Sequence, residues 1–124
     1  MSSSVKIGAL LAAGRIAAGA ALLASPGRLG AAWLGDAAAR PATQLAIRAL
    51  GARDIALGAG ALTALGDERR LRRWIAVGAV CDLTDAGSAM ATPSTALPDG
   101  ARQATVAMGA GAALAGALAH RALR

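Results

Sequence analysis

The chain alternates between long apolar segments and short connections that are polar or marked by proline and glycine. The first segment runs from Val5 to Ala24, about the 20 residues a helix needs to cross a hydrocarbon layer. Ser25-Pro26-Gly27 stops it with the usual helix-breaking chemistry. The second covers residues 43–65 and follows Pro41, whose fixed φ suits a first helical turn. The third runs from Trp74 to Ala91, and the fourth covers residues 103–120. A hydrophilic stretch carrying Asp67, Glu68, Arg69, Arg70, Arg72 and Arg73 separates the second from the third. Thr92 to Gly100, with Pro93 and Pro98, is loop between the third and fourth. Between the first two, Arg28 to Arg40 is mildly amphipathic and reads as a short interfacial helix or a loop. Trp33 would then sit as an anchor at headgroup level. The expected fold is all-α: one domain, residues 1–124, forming a four-helix transmembrane bundle with short connections.

Charge inside these segments is what gives the pattern its interest. Arg15 lies in the middle of the first, Arg53 and Asp54 near the middle of the second, and Asp82 and Asp85 near the middle of the third. Arg48 lies about a turn and a half before Arg53. At 100° per residue, Gly8, Ala12, Ala18 and Gly19 share the Arg15 face, while Leu10, Ile16 and Leu23 fall elsewhere. Asp82 and Asp85, three apart, share a face flanked by Gly78, Ala79, Ala86 and Ala89. Small residues around a charge suit a face packed against other helices.

The second segment inserts badly alone. Each central charge costs about 2.5–3.5 kcal/mol, and each Leu or Ile returns only about 0.3–0.6. Ionisable groups at such depth usually face the bundle interior and pair with one another. The expectation is a buried network of Arg15, Arg48 and Arg53 with Asp54, Asp82 and Asp85, three against three and formally neutral. The guanidiniums of Arg15 and Arg53 should engage these carboxylates through paired hydrogen bonds. Such a network either fixes which helix faces which, or lines a polar pocket or proton path. Gly51, Gly58, Gly60, Gly109 and Gly116 read as helix-packing positions, because no dinucleotide-binding pattern is completed around them.

Composition narrows the class. The chain is 56% hydrophobic and 16% charged, against about 45–50% and about 25% in ordinary soluble domains. Trp33 and Trp74 are the only aromatics, so a soluble core would rest on Ala, Leu, Val and Gly. A soluble Ala-rich bundle is the competing class, and its core would be poor because small side chains bury little area. A signal peptide is the competing reading of the first segment, and Arg15 at its centre argues against it. The net charge of +6 is distributed unevenly. If all four segments cross, Lys6, Arg69, Arg70, Arg72, Arg73, Arg121 and Arg124 fall on one side, seven in all. Arg28, Arg40 and Arg102, three, fall on the other. This asymmetry places both termini in the cytoplasm and the protein in the inner membrane as a multi-pass species.

Several chemistries are excluded. Cys81 is the only cysteine and His120 the only histidine, so neither a disulfide nor a Cys/His metal set is available. Cys81 reads as a packing residue. The basic run at 67–73 lacks the interleaved aromatics of a nucleic-acid surface. No catalytic constellation and no cofactor-ligand pattern is present.

With Ala32-Trp33-Leu34-Gly35, the stretch Arg48 to Gly60 and the Asp82-x-x-Asp85 pair in view, the chain resembles a group of small four-helix membrane proteins of high-GC bacteria. These share an Arg-x-Leu-Gly-x-Arg-Asp-x-x-x-Gly pattern, matched here from Arg48 to Gly58. More distantly it is similar to the DoxX-like four-helix family. The resemblance implies the fold and a membrane location, and brings no established activity. DoxX-like proteins are associated with redox-linked membrane complexes, an association that no ligand pattern here accompanies.

The function expected is non-enzymatic: a scaffold or accessory subunit held by the Arg/Asp network. Its partners would be the lipid bilayer and either a second copy or another membrane protein on the Gly-rich faces of the fourth segment. The alternative is a transporter or proton-conducting element using the mid-membrane carboxylates. Reporter domains fused after Arg73 and after Asp99 should report cytoplasm and exterior respectively. Recovery of the untagged protein from the soluble fraction without detergent would end the membrane expectation.

Overall fold

A computed structural model describes residues 1–123, and among these it contains helices and no strand. The helices are α1 (Ser3–Ala24), α2 (Pro26–Leu34), α3 (Pro41–Leu62), α4 (Glu68–Ala91) and α5 (Ala101–Ala122). Short 3-10 turns at Gly35–Ala39 and Ser94–Ala96 complete the connections. Local chemistry accounts for the boundaries. The Ser2 hydroxyl accepts the Val5 N–H, and the Asp67 carboxylate accepts the Arg70 N–H, capping α1 and α4. Pro26 and Pro41 open α2 and α3 in the first helical turn. Gly100, with φ of 78°, makes the left-handed turn from which α5 departs.

The four long helices form two antiparallel pairs, α1 with α3 and α4 with α5, each pair far more intimate than the contact between pairs. Glycine explains the intimacy. A Cβ added at Gly51 would lie 2.6 Å from the Gly19 carbonyl oxygen, and one at Gly58 would lie 2.6 Å from the Ala12 carbonyl oxygen. In the second pair, a Cβ at Gly109 would meet the Asp82 carbonyl oxygen at 2.6 Å, and Gly116 faces Ala79. Gly60 makes room for the Trp74 ring, which joins the two pairs. Backbones approach to distances that only a missing side chain permits.

The pairs close on each other at the end that holds the chain termini. There Val5, Ala61, Ala64, Leu71, Ile75, Ala119 and Leu123 form the apolar core, with Leu65 and Trp74 against it. The Ser2 hydroxyl reaches Glu68 at 3.2 Å, and Arg72 donates to His120 at 3.0 Å, tying α1, α4 and α5 together at this end. At the other end α2 lies across the bundle. Gly30 seats on Ile47 and Ala38, and the Trp33 indole N–H donates to the Thr105 hydroxyl at 2.9 Å. Trp33 is therefore half-buried and turned toward α5, not outward as a headgroup anchor. The amphipathic stretch forms a helix, but its apolar side has a protein partner.

Burial is inverted relative to an ordinary soluble domain. Asp82 is 5% exposed, while Leu10, Val80, Leu83, Leu114 and Leu118 are each more than half exposed. By length and composition, α1 is the one helix among the described residues apolar enough to cross a membrane, with mean hydropathy 1.8. Only 17% of that stretch is buried, unlike the core helix of a soluble protein, although an N-terminal signal sequence would pass the same test. The remaining long helices fall short by the same criterion: α3 and α4 carry internal charges, and α5 has glycines and the polar ends Arg102, Gln103, His120 and Arg121.

The close approaches make a direct test. Gly51→Val or Gly109→Val should force its helix pair apart, at a cost of about 1–3 kcal/mol or more in stability. Gly87→Ala, where nothing lies within 4 Å, should leave the melting temperature unchanged or slightly raised. Equal thermal shifts for all three would show that the pairs are not held by close backbone contact.

Candidate functional site

The network is built from three helices. Arg15 leaves α1 beside Ala12 and Gly19 and crosses to α4, where Gly78 leaves space for it. A Cβ on Gly78 would lie 3.2 Å from the guanidinium Nη2. Arg15 Nη1 and Nη2 donate to the two oxygens of Asp82 at 3.1 and 2.5 Å. Arg53, on α3, makes the same fork with Asp85, at 2.9 and 2.7 Å. Asp54 stands between them: its Oδ1 accepts from Arg15 Nη1 at 3.1 Å and from Arg53 Nη2 at 3.4 Å. The order is Asp82, Arg15, Asp54, Arg53, Asp85, and both bidentate pairs run from the α1/α3 pair to α4. Bidentate geometry fixes orientation as well as distance.

Arg48 does not join this set, contrary to the expectation from sequence. Five residues before Arg53 it is rotated by about 140° on the helix, it is exposed, and it makes no ion pair among the described residues. The network thus holds two guanidiniums and three carboxylates, and +2 −3 gives a formal charge of −1 where neutrality was expected. The glycines singled out from sequence all fall at helix contacts, and Gly8, Gly19 and Gly78 belong with them.

Above the network the helix pairs diverge around a cavity of about 830 Å³. Its floor is Arg15, Arg53, Asp54, Asp82 and Asp85. Its walls are apolar, with Leu22 on α1, Leu50 on α3 and Met108 on α5. Leu29 and Trp33 from α2, together with Leu97, close it on the side away from the termini. Thr92, Thr105 and Ser88 are the neutral polar groups on the wall. A much smaller void of about 40 Å³ lies on the other side of Arg15, against Gly58, Trp74 and Gly78. The participation of α2 in the cavity wall is not legible in the sequence. The signal available was the apolar spacing of Leu29, Trp33 and Leu34, which shows a sticky face but not what it covers.

Chemically the site is a holder of charge and shape. Asp82 and Asp85 each have both oxygens engaged by a guanidinium. Asp54 is the least committed, since no hydrogen bond reaches its Oδ2 from the described residues. Cys81 is half-buried and is not part of the cavity wall. No group of three His, Cys, Asp or Glu able to hold a metal occurs among the described residues. Comparison with models of known protein families, with curated proteins and with solved structures finds no match to this chain.

The pairing specifies which double variants should compensate. Arg53→Ala strands Asp85; removing one partner of a fully buried pair costs about 3–5 kcal/mol, and the loss here should be smaller because the Arg53 and Asp85 side chains are 31% and 32% exposed. Arg53→Ala with Asp85→Asn should recover much of that loss, and Arg53→Ala with Asp82→Asn should not. Arg15 should show the reverse preference. Thermal unfolding in detergent measures both cycles, and equal rescue by either aspartate would contradict the two-fork arrangement.

Proposed function

We propose that this chain is a four-span integral membrane protein of the inner membrane, both termini cytoplasmic, that binds a small amphipathic molecule between its two helix pairs without transforming it. The observation that carries this reading is the large apolar cavity floored by an ion-pair network, inside a bundle whose outer surface is itself apolar. Ligand sites of roughly 300–1,000 Å³ with apolar walls and a few convergent polar groups are the usual form of small-molecule pocket. This cavity, at about 830 Å³, fits that description.

The surface supports the membrane setting. In residues 7–23, 49–62, 74–91 and 103–118 the only charged members are Arg15, Arg53, Asp54, Asp82 and Asp85, all ion-paired and all lining the cavity. At 1.5 Å per residue these stretches are roughly 21–27 Å long, close to the hydrocarbon thickness of about 30 Å. The central charges that make α3 and α4 poor spans in isolation are paired inside the bundle, so assembly offsets the cost of insertion. The exposed Lys6, Arg69, Arg70, Arg72, Arg73 and Arg121 gather toward the termini end, as the cytoplasmic face of such a protein requires.

Binding in place is favoured over passage. The termini end is packed by the Val5, Leu71, Ile75 and Leu123 core, and on that side of Arg15 the bundle holds a void of about 40 Å³ against the 830 Å³ of the cavity. A transporter or proton conductor would need the two helix pairs to part there. Binding without reaction also suits an accessory subunit, because the Thr92 and Thr105 hydroxyls on the wall donate to backbone carbonyls and not to a base.

Trp33 lies on the cavity wall and Trp74 does not, which supplies a reporter. In lipid nanodiscs, Trp74→Phe protein should show saturable quenching of Trp33 by a brominated alkyl amphiphile. Ala18→Phe, which places a ring in the cavity wall, should remove the saturable part and leave the bundle folded. Quenching that only rises linearly with amphiphile, as for partition into lipid, would end the binding reading.

A further inference from the structure

We infer that the cavity selects a hydrophobic monocation, an amphipathic amine or ammonium, and that Asp54 is its counter-ion. This rests on the proposed binding function and adds the charge of the ligand.

The argument begins with the charge count at the floor. Arg15 and Arg53 meet Asp54, Asp82 and Asp85, giving +2 −3, or −1. No other charged side chain among the described residues lines the cavity. An uncompensated charge in apolar surroundings is costly, and it is relieved by a proton or by a counter-ion. The odd carboxylate can be identified. Asp82 and Asp85 each hold a fork of two hydrogen bonds, whereas Asp54 has one oxygen shared between two guanidiniums, the longer contact being 3.4 Å. Its Oδ2 accepts nothing from the described residues, and Asp54 lines the cavity.

The walls then set the rest of the ligand. Above the floor the cavity is apolar, with Leu22, Leu29, Leu97 and Met108 around it and the Trp33 ring at its side. A cation brought to Asp54 therefore carries an apolar body, which these leucines, Met108 and the Trp33 ring would surround. An anionic head group would add to a floor that is already negative. A neutral head would leave the odd charge in place.

Three amphiphiles with the same dodecyl tail test this in zwitterionic nanodiscs: the primary ammonium, the neutral maltoside and the sulfate. Trp33 quenching in Trp74→Phe protein and equilibrium dialysis of the unaltered protein give independent affinities. The ammonium should bind at least tenfold more tightly than the maltoside, and the sulfate weakest. Asp54→Asn leaves both forks intact and makes the floor neutral, so it should melt no lower than the parent. It should also bring the ammonium and maltoside affinities together. Equal binding of ammonium and maltoside by the unaltered protein would show that a proton already serves the odd charge, and would overturn the assignment while leaving an amphiphile site. Preference for the sulfate would also overturn it. Saturable binding of none of the three would remove the binding function itself.

Discussion

The Arg15 guanidinium is the contact on which the rest of the structure depends. It starts on α1, takes both oxygens of Asp82 on α4, and touches Asp54 on α3. One planar group thus specifies the mutual orientation of three helices. Gly78 leaves the space that the Arg15 guanidinium occupies on α4, while Ala12 and Gly19 on α1 let α3 approach. Arg53, on the neighbouring α3, repeats the device with Asp85 on α4, and Asp54 couples the two.

A buried ion pair is a poor source of net stability, because desolvating both partners cancels much of their attraction. Its value here is in choosing one arrangement. The outward faces of α1 and α4 carry Leu10, Val80 and Leu83 and would pack indifferently against many partners. Two forks that close only in one rotation of each helix remove that freedom. The glycine contacts act along the other axis. At Gly51, Gly58 and Gly109 they bind α1 to α3 and α4 to α5 through close backbone approach, while between the pairs Gly8, Gly60 and Gly78 admit side chains, so the join rests on the ion pairs, on Trp74 and on the core at the termini end.

This division of labour explains the cavity. Two stiff helix pairs, closed at one end by an apolar core and bridged at mid-length by charge, diverge beyond the bridge. α2 spans the gap there, held by the Trp33–Thr105 hydrogen bond and by Gly30 seated on Ile47 and Ala38. Under the proposed membrane setting the cavity would lie beyond the bilayer midplane, on the side away from the termini.

How much of this the residues announced can be argued position by position. The helical segments are legible, since apolar runs of helical length are bounded by Pro26, Pro41, Asp67 and Gly100, residues with which the next helix begins and where the backbone has local reasons to turn. So is the inward placement of Arg15, Arg53, Asp54, Asp82 and Asp85, because charge on an otherwise small-residue face has few other places to go. Arg48 was misread for an instructive reason. Nearness along the chain put it with Arg53, but five residues of helix turn it to the far side, and only the packed bundle shows which side is interior. The pairing of Arg15 with Asp82 and of Arg53 with Asp85 could not be read either, because spacing within a helix says nothing about which neighbour stands opposite. What the sequence determined by itself was local: helix limits, which residues share a face, and a set of charges needing partners. The tertiary structure decided the partners, the leftover carboxylate and the cavity, because these depend on how far apart separate helices stand, a quantity that no single segment contains.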